Sequence, residues 1–197
     1  KEFDHVIKMG RTQLQDAIPI RLGQEFKAYS EAIKRDIRRI KNAKEEVKYL
    51  NMGATAIGTG LNADIKYIKK IVPNLAKITG LDLVQAEDLI DGTQNLDVYV
   101  VISGIIKTCA LSLSKISNDL RLMSSGPRTG LGEINLPAKQ NGSFIMPGKI
   151  NPVIPEVVNQ IAFNIVGNDV TISMAVEAGQ LELNAFEPII YYNLLQS

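Results

Sequence analysis

Cysteine, histidine and tryptophan are almost absent from this sequence. Among its 197 residues Cys109 is the only cysteine and His5 the only histidine, and there is no tryptophan. A single cysteine excludes an internal disulfide and a thiolate metal cluster. A single histidine argues against a histidine-based metal site and against a Ser-His-Asp triad. Catalysis would therefore use hydroxyl, amine, amide or carboxylate groups, and we expect neither a metal nor any other cofactor.

The sequence also lacks an excess of charge of either sign. Lysine and arginine total 22, aspartate and glutamate total 21, and the formal net charge is +1. This balance gives no reason to expect nucleic acid or an anionic membrane as a partner. The most apolar stretch, residues 98–113, contains Lys107 and is short for a membrane span, so it predicts a buried helix. The chain opens on charged residues instead of a signal peptide, and we expect a cytoplasmic protein.

Apolar residues recur at helical spacing through most of the chain. This spacing predicts long helices over residues 23–50, 93–123, 153–177 and 181–195, and shorter helices between 63 and 91. The shorter helices are expected to break near Pro73 and Gly80. Residues 51–62 and 124–150 are predicted to be irregular, and a loop as long as the second is often functional. Because no segment alternates as a strand does, we predict an all-α fold: one elongated bundle of long helices over residues 1–197.

The same spacing predicts which helix faces are buried. The expected buried positions are Phe26, Tyr29, Ile33, Ile37, Ile40, Ala43, Val47 and Leu50 in the first helix, Val98, Val101, Ile102, Ile105, Cys109, Leu113, Ile116 and Leu120 in the second, and Val157, Ile161, Ile165 and Ile172 in the third. The second helix is apolar on its other sides too, which predicts that it is surrounded by other helices. Since few elements are present to cover so many apolar faces, we expect partner subunits.

Residues 142–152, Gly-Ser-Phe-Ile-Met-Pro-Gly-Lys-Ile-Asn-Pro, are the segment most informative about function. They place the hydroxyl of Ser143, the ammonium of Lys149 and the carboxamide of Asn151 on one glycine-flanked loop. Asn151 is a good N-cap and Pro152 suits a first helical turn, so a helix start is predicted here, with its positive potential beside Lys149. Such a group can hold a carboxylate and act on a neighbouring C–H bond. The alternative is an ordinary surface loop with a solvated lysine.

This segment resembles the signature of the aspartase/fumarase superfamily, G-S-S-x-M-P-x-K-x-N-P, with Phe144 in place of the second serine. Further segments that resemble the superfamily are residues 10–17, 22–26, 51–62 and 125–128. The resemblance extends across the whole chain. It implies that residues 1–197 are the central helical-bundle domain of an enzyme more than twice as long, with N-terminal and C-terminal domains on either side.

The resemblance implies a chemistry and a set of residues to perform it. Superfamily enzymes eliminate ammonia, water or an amine from succinate-like substrates and release fumarate. Lys149 and Asn151 take the positions that contact substrate carboxylates and stabilise the enediolate-like intermediate. Ser143 takes the position of the base that removes a proton beside a carboxylate. Backbone N–H groups, Lys149 and the helix terminus would lower the pKa of its hydroxyl.

Three further positions distinguish members of the superfamily. Thr12 and Gln13, which the resemblance implies make polar substrate contacts, form a Thr-Gln pair, where fumarases usually have Thr-His and many aspartases have Thr-Gln. Glu156 takes the position of a glutamate that supports the site in fumarases by pairing with that histidine, which is missing here. These residues favour elimination of ammonia from aspartate. The resemblance also implies a homotetramer in which each active site gathers segments from three subunits, and a loop that closes over the substrate.

Phe144 has two possible placements. A phenylalanine there either narrows the pocket or points away from it in an open loop.

Two alternative functions also stay open. Hydration of fumarate is the second enzymatic hypothesis, because the fold and the Ser-Lys-Asn loop are shared. A non-catalytic structural role is the other, because the superfamily also includes lens crystallins, and Phe144 supports it. Residues 1–197 alone are expected to hold an incomplete site with little turnover, or to act as a helical assembly module.

Overall fold

The computed structural model of the protein describes residues 2–197. Its helices are α1 (Leu22–Asn42), α2 (Ile65–Thr79), α3 (Asp91–Gln94), α4 (Asp97–Met123), α5 (Val153–Glu177) and α6 (Glu187–Gln196), with a 3-10 turn at Ala43–Glu45. Its strands are β1 (Ile7–Thr12), β2 (Gln15–Arg21), β3 (Tyr49–Leu50) and β4 (Val84–Gln85). Helices therefore dominate, and the predicted all-α class is confirmed.

The chain divides into two compact units, each built from two separate stretches. The first unit contains the described residues up to Ile37 together with Thr108–Phe163. The second unit contains Arg38–Lys107 and Asn164–Ser197. The hairpin and the long loop belong to the first unit, so the predicted site residues Thr12, Gln13, Ser143, Lys149, Asn151 and Glu156 all lie in it.

Three of the four predicted long helices need their bounds corrected. Helix α5 has the predicted bounds, whereas α4 begins at Asp97, four residues later than expected, and α6 begins at Glu187, six residues later than expected. The first helix ends at Asn42 and does not continue to Leu50, because residues 48–50 pair with the segment around β4. In that pairing the N–H groups of Val84 and Ala86 donate to the carbonyls of Lys48 and Leu50 at 2.9 and 2.8 Å.

The predicted break at Pro73 is wrong, whereas the stop at Gly80 is confirmed. Helix α2 continues through Pro73 and ends where Gly80 takes a left-handed φ of 69° and donates its N–H to Ala76. A proline within a helix removes one backbone hydrogen bond and adds a steric clash. Here the cap at Asp64, which accepts from the Lys66 N–H at 2.7 Å, and the burial of Val72 hold the helix together.

The expectation that no strand occurs is also wrong. β1 and β2 form an antiparallel hairpin in which Arg11 pairs with Asp16, and the register shifts between Met9 and Arg11. β2 is exposed along nearly its whole length and contains Pro19 opposite Met9, so it lacks an alternating pattern. β3 and β4 pair over only two residues each. Neither sheet produces a periodic signal in the sequence.

The buried faces of the long helices differ from the prediction. In α5, Ile165 and Ile172 are buried as expected, whereas Val157 and Ile161 are about half exposed. In α1 only Leu22 and Asp36 are buried, and Phe26, Ile37 and Ile40 are exposed. The buried positions of α4 are Ser103, Ala110, Ser114, Ser117 and Met123, most of which are small and polar. Within one chain, therefore, many large apolar side chains of these helices are exposed.

Helix α4 is long and apolar enough, by length and composition alone, to cross a membrane. Such evidence is weak, because core helices of globular proteins pass the same test. Only 22% of its most apolar window is buried within the chain. The described residues alone therefore do not surround α4 with other helices as predicted. Two of its buried polar side chains, Ser103 and Ser114, form hydrogen bonds with α5, as in a helix packed within a protein.

A buried carboxylate links α4 to α5 in the second unit. Asp169 accepts a hydrogen bond from the Ser103 hydroxyl at 2.7 Å and forms an ion pair with Lys107 at 2.5 Å. Leu96, Ile172, Ala175 and Ile190 form the apolar core of this unit. A buried carboxylate is tolerated only when it is paired in this way, so Asp169 ties the two helices in one register.

Replacing Asp169 by alanine is expected to destabilise the second unit by about 2 kcal/mol, since Ser103 loses its acceptor and Lys107 its counter-ion. A lower Tm in thermal melts at equal protein concentration would report this. Glu31→Ala is the matched control, because the pair of Glu31 with Lys34 is exposed and its loss should leave Tm unchanged. Coincident melts for Asp169→Ala and the unchanged protein would contradict the role of Asp169.

Candidate active site

The segment between α4 and α5 is irregular, as predicted, and its beginning is fixed to the end of α4. The N–H groups of Gly132 and Glu133 donate to the carbonyls of Ser125 and Met123 at 2.9 and 2.8 Å. These bonds satisfy backbone groups that a helix terminus leaves unpaired. These bonds therefore fix the position of residues 132 and 133, from which the rest of the loop continues to Asn151.

Backbone hydrogen bonds close the loop around Ser143. The Ser143 N–H donates to the Lys149 carbonyl at 3.2 Å, and the Lys149 N–H donates to the Met146 carbonyl at 3.1 Å. The Met146 N–H donates to Ser143 Oγ at 3.3 Å. Ser143 is half-buried, whereas Phe144 and Ile145 are fully exposed. The hydroxyl therefore already has one backbone donor directed at its oxygen.

Lys149 and Asn151 contact each other directly. Lys149 Nζ donates to Asn151 Oδ1 at 3.0 Å, which leaves the Asn151 amide N–H₂ free to donate elsewhere. The helix starts in the predicted segment: the Pro152 carbonyl accepts from the Glu156 N–H at 3.4 Å, and α5 begins at Val153. An ammonium and an amide donor thus lie side by side just before a helix N-terminus.

A cavity of about 460 Å³ adjoins this pair. Its lining consists of Arg121, Ser124, Ser125, Gly126, Pro127, Ile134, Asn135, Leu136, Pro137, Ala138, Gly148, Lys149, Ile150, Asn151, Pro152 and Glu156. The structure therefore brings three of the predicted site residues together, Lys149, Asn151 and Glu156. Ser143 and Phe144 belong to the same loop but do not line the cavity.

Arg121 is a cavity residue that the sequence reasoning missed. It lies in the last turn of α4, and its NH1 donates to Asn159 Oδ1 at 3.2 Å. Its NH2 lies 3.6 Å from Glu156 Oε1, so the partner of Glu156 within the chain is an arginine. The signal in the sequence was a basic residue at a helix C-terminus, immediately before the functional loop.

Thr12 and Gln13 lie at the turn of the hairpin, and neither lines the cavity beside Lys149. Both are exposed, and Gln13 lines a separate cavity of about 350 Å³. Gln13 and Leu14 have φ values of 52° and 64°. Residues other than glycine incur about 1–2 kcal/mol each in this left-handed region. Within one chain, the predicted substrate-binding residues Lys149 and Asn151 line one cavity and Gln13 lines another. The turn that carries Gln13 is also strained.

A cluster of alternating charges borders the second cavity, and no sequence pattern indicated it. Lys8 Nζ lies 3.0 Å from Glu25 Oε2 and 3.1 Å from Glu133 Oε2. Arg11 NH1 donates to Glu133 Oε1 at 2.5 Å, and Arg11 Nε lies 3.3 Å from Asp16 Oδ1. We call Lys8, Arg11, Glu25 and Glu133 the ionic cluster. Its members come from β1, α1 and the long loop.

The ionic cluster shifts the pKa values of its own members. Burial opposes ionisation of Glu133, but the hydrogen bonds from Arg11 and Lys8 outweigh it and lower the pKa of this carboxyl. Burial likewise opposes the charge on Lys8, yet contacts with Glu25 and Glu133 raise its pKa. Both groups are therefore held in their charged forms. Across residues 2–197, no group of three or more His, Cys, Asp and Glu side chains is arranged to hold a metal ion.

This helical architecture and its Ser-Lys-Asn loop are matched by one protein family. The family model described as Lyase matches residues 1–167, and the chain belongs to this family. The resemblance to the aspartase/fumarase superfamily is thereby confirmed.

Individual relatives are similar along the whole chain. Aspartate ammonia-lyases of Bacillus subtilis and Escherichia coli are 63% and 54% identical to it over 197 and 196 residues. The chain spans only 42% and 41% of their lengths. Among solved structures, a fumarate lyase:delta crystallin from Brucella melitensis, bound to cobalt, matches 98% of the chain with a TM-score of 0.95 at 52% identity. A class II fumarase from Schistosoma mansoni matches 98% with a TM-score of 0.92 at 38% identity. The chain covers 42% and 44% of those two structures.

The ionic cluster predicts how stability depends on pH. The folded-state pKa of Glu133 is lowered, so its contribution is present above the unfolded value of about 4.3 and is lost as pH falls through the folded value. The folded-state pKa of Lys8 is raised, so its contribution is lost only at strongly alkaline pH. We expect Glu133→Gln to lower Tm most near pH 7 and progressively less as the pH falls through the lowered pKa of Glu133, where this carboxylate itself becomes protonated. A Tm difference independent of pH would contradict this.

Proposed function

We propose that the full-length protein is an aspartate ammonia-lyase that eliminates ammonia from L-aspartate to give fumarate. The observation that carries this proposal is the 63% identity of the whole chain to the aspartate ammonia-lyase of Bacillus subtilis. The Thr12-Gln13 pair and the Lys149–Asn151 contact support it, since they supply polar and cationic donors for an anionic substrate.

Lys149 and Asn151 bind one carboxylate of the substrate in this proposal. The ammonium supplies the charge, and the free amide N–H₂ of Asn151 supplies a second donor beside it. The positive end of α5 begins two residues later and adds to the same potential. Because these groups are already placed, they can stabilise negative charge as it develops on the carboxylate without reorganising.

Ser143 is the proposed base. Its alkoxide takes the proton from the carbon beside a substrate carboxylate, and the electron pair of that C–H bond moves into the carboxylate to give an enediolate-like intermediate. The electrons then form the carbon–carbon double bond while the C–N bond breaks and ammonia leaves. The Met146 N–H that donates to Ser143 Oγ favours the alkoxide, as do Lys149 and the helix terminus nearby.

We further propose a homotetramer with composite active sites in the cytoplasm. Within one chain, Gln13 borders a different cavity from Lys149 and Asn151, which supports a site completed by other copies of the chain. The exposed large apolar side chains of α1, α4 and α5 support burial against such copies. In this proposal, residues 1–197 form a central domain, and Glu156 supports the site through its ion pair with Arg121.

Fumarate hydration is the competing enzymatic function, because the chain also matches the class II fumarase of Schistosoma mansoni with a TM-score of 0.92. Incubating the full-length protein separately with L-aspartate and L-malate, and following fumarate by its ultraviolet absorbance, separates the two. We expect fumarate from aspartate only. Fumarate from malate alone would assign the hydratase, and fumarate from neither would favour the non-catalytic structural role, for which Phe144 and the likeness to a fumarate lyase:delta crystallin are the supporting observations.

Replacing Ser143 by alanine is expected to reduce kcat about a thousandfold while substrate still binds, because the base is lost and the carboxylate contacts remain. Replacing Lys149 by methionine is expected to raise KM as well as lower kcat, since it removes charge from both the bound substrate and the intermediate. Initial rates of fumarate release measure both effects. Lys70→Met, which changes an exposed lysine of α2, is the matched control. Unchanged turnover in Ser143→Ala would refute the proposed base.

A further inference from the structure

The hairpin turn that carries Gln13 has an unfavourable backbone conformation. Gln13 and Leu14 have φ values of 52° and 64°, as a two-residue hairpin turn requires. Such turns usually contain asparagine, aspartate or glycine, and this one contains none of them. Strained backbone of this kind persists where surrounding contacts fix it. The contacts next to the turn therefore decide where Gln13 points.

Those contacts converge on one residue of β1. Arg11 immediately precedes Thr12, and its Nε lies 3.3 Å from Asp16 Oδ1 on the opposite strand. Its NH1 donates to Glu133 Oε1 at 2.5 Å. Because the guanidinium is planar and rigid, one side chain can face both carboxylates at once. Arg11 thus joins the two strands at the turn and connects them to a residue outside the hairpin.

Glu133 is the residue outside the hairpin, and it is well anchored. Its side chain is 15% exposed, and its Oε2 lies 3.1 Å from the Nζ of Lys8, near the start of β1. Its N–H donates to the Met123 carbonyl at 2.8 Å, which fixes it to the end of α4. One carboxylate therefore attaches β1 at two points to the beginning of the loop that later carries Ser143 and Lys149.

We propose that Glu133 is a positioning residue for Gln13, acting through Arg11 on the strained turn. The inference rests on the proposed function, in which Gln13 contacts the substrate. Glu133 itself does not touch substrate. Removing its charge leaves Arg11 with Asp16 and Lys8 with Glu25, so the hairpin still forms while its turn becomes freer to move.

Glu133→Gln in the full-length protein tests this with little change in side-chain size. We expect KM for aspartate to rise about tenfold, since a charge-assisted hydrogen bond is lost, with kcat within about twofold of its original value. We also expect faster hydrogen–deuterium exchange of the backbone in a peptide containing residues 12–15. Glu31→Gln, at an exposed ion pair of α1, is the matched control and should change none of these.

A second variant and a double-mutant comparison separate positioning from general stability. Arg11→Lys is expected to reproduce the changes in KM and exchange, because Arg11 reaches Asp16 and Glu133 through two different nitrogens and a lysine has only one. In a Gln13→Ala background, Glu133→Gln should raise KM no further, since the positioned contact is already gone. An equal rise in KM in both backgrounds would overturn the proposal.

The hydrogen-exchange measurement also distinguishes this inference from the proposed function. If the unchanged protein releases no fumarate from aspartate, the proposed function fails, and exchange at residues 12–15 then decides the positioning role alone. Faster exchange in Glu133→Gln and Arg11→Lys supports Glu133 as the anchor of the turn. Unchanged exchange in both variants overturns it, whatever the activity.

Discussion

Helices α4 and α5 are held together by buried polar contacts between small side chains. In the first unit, Asn159 donates its amide to both the carbonyl and the hydroxyl of Ser114, at 3.0 and 2.8 Å. In the second unit, Asp169 accepts from Ser103 and pairs with Lys107. Each of these groups would be costly to bury unpaired, so the contacts admit one register of the two helices. Several large apolar side chains of the two helices, such as Leu113 and Val157, are then left exposed.

The geometry of the cavity beside Lys149 follows from this helix pairing. Asn159 donates to Ser114 through its amide nitrogen and accepts from Arg121 through its amide oxygen. The same buried side chain therefore fixes the helix register and the position of Arg121. Arg121 in turn faces Glu156, one turn from the start of α5. The positions of Arg121 and Glu156 beside the cavity therefore depend on the buried contact between Asn159 and Ser114. Rearrangement is least favourable in such a closely packed interior.

The features that the sequence predicted are local, whereas the features that it did not predict depend on contacts with residues far away in the sequence. The bounds of α5 and the irregular segment before it follow from apolar periodicity, Asn151 and Pro152, all within a few residues of each other. The motif likewise placed Lys149 near Asn151, because only Ile150 separates them in the chain.

The errors concern contacts between distant residues. Apolar spacing indicates that a row such as Val157 and Ile161 will be covered, but not whether its own chain covers it. Arg11 and Glu133 are 122 residues apart, and the hairpin turn contains none of the usual turn residues, so neither feature has a local signature.

Phe144 lies next to the proposed base, Ser143, without taking part in the hydrogen bonds that close the loop. The turn around Ser143 is closed by backbone atoms of Ser143, Met146 and Lys149, together with the Ser143 hydroxyl. None of these bonds involves the side chain at position 144, which is fully exposed and lies away from the cavity lining. A phenylalanine there is consequently compatible with the loop conformation that presents Ser143. Phe144 would instead affect binding to any surface that the loop contacts, because burying an exposed aromatic ring is energetically favourable.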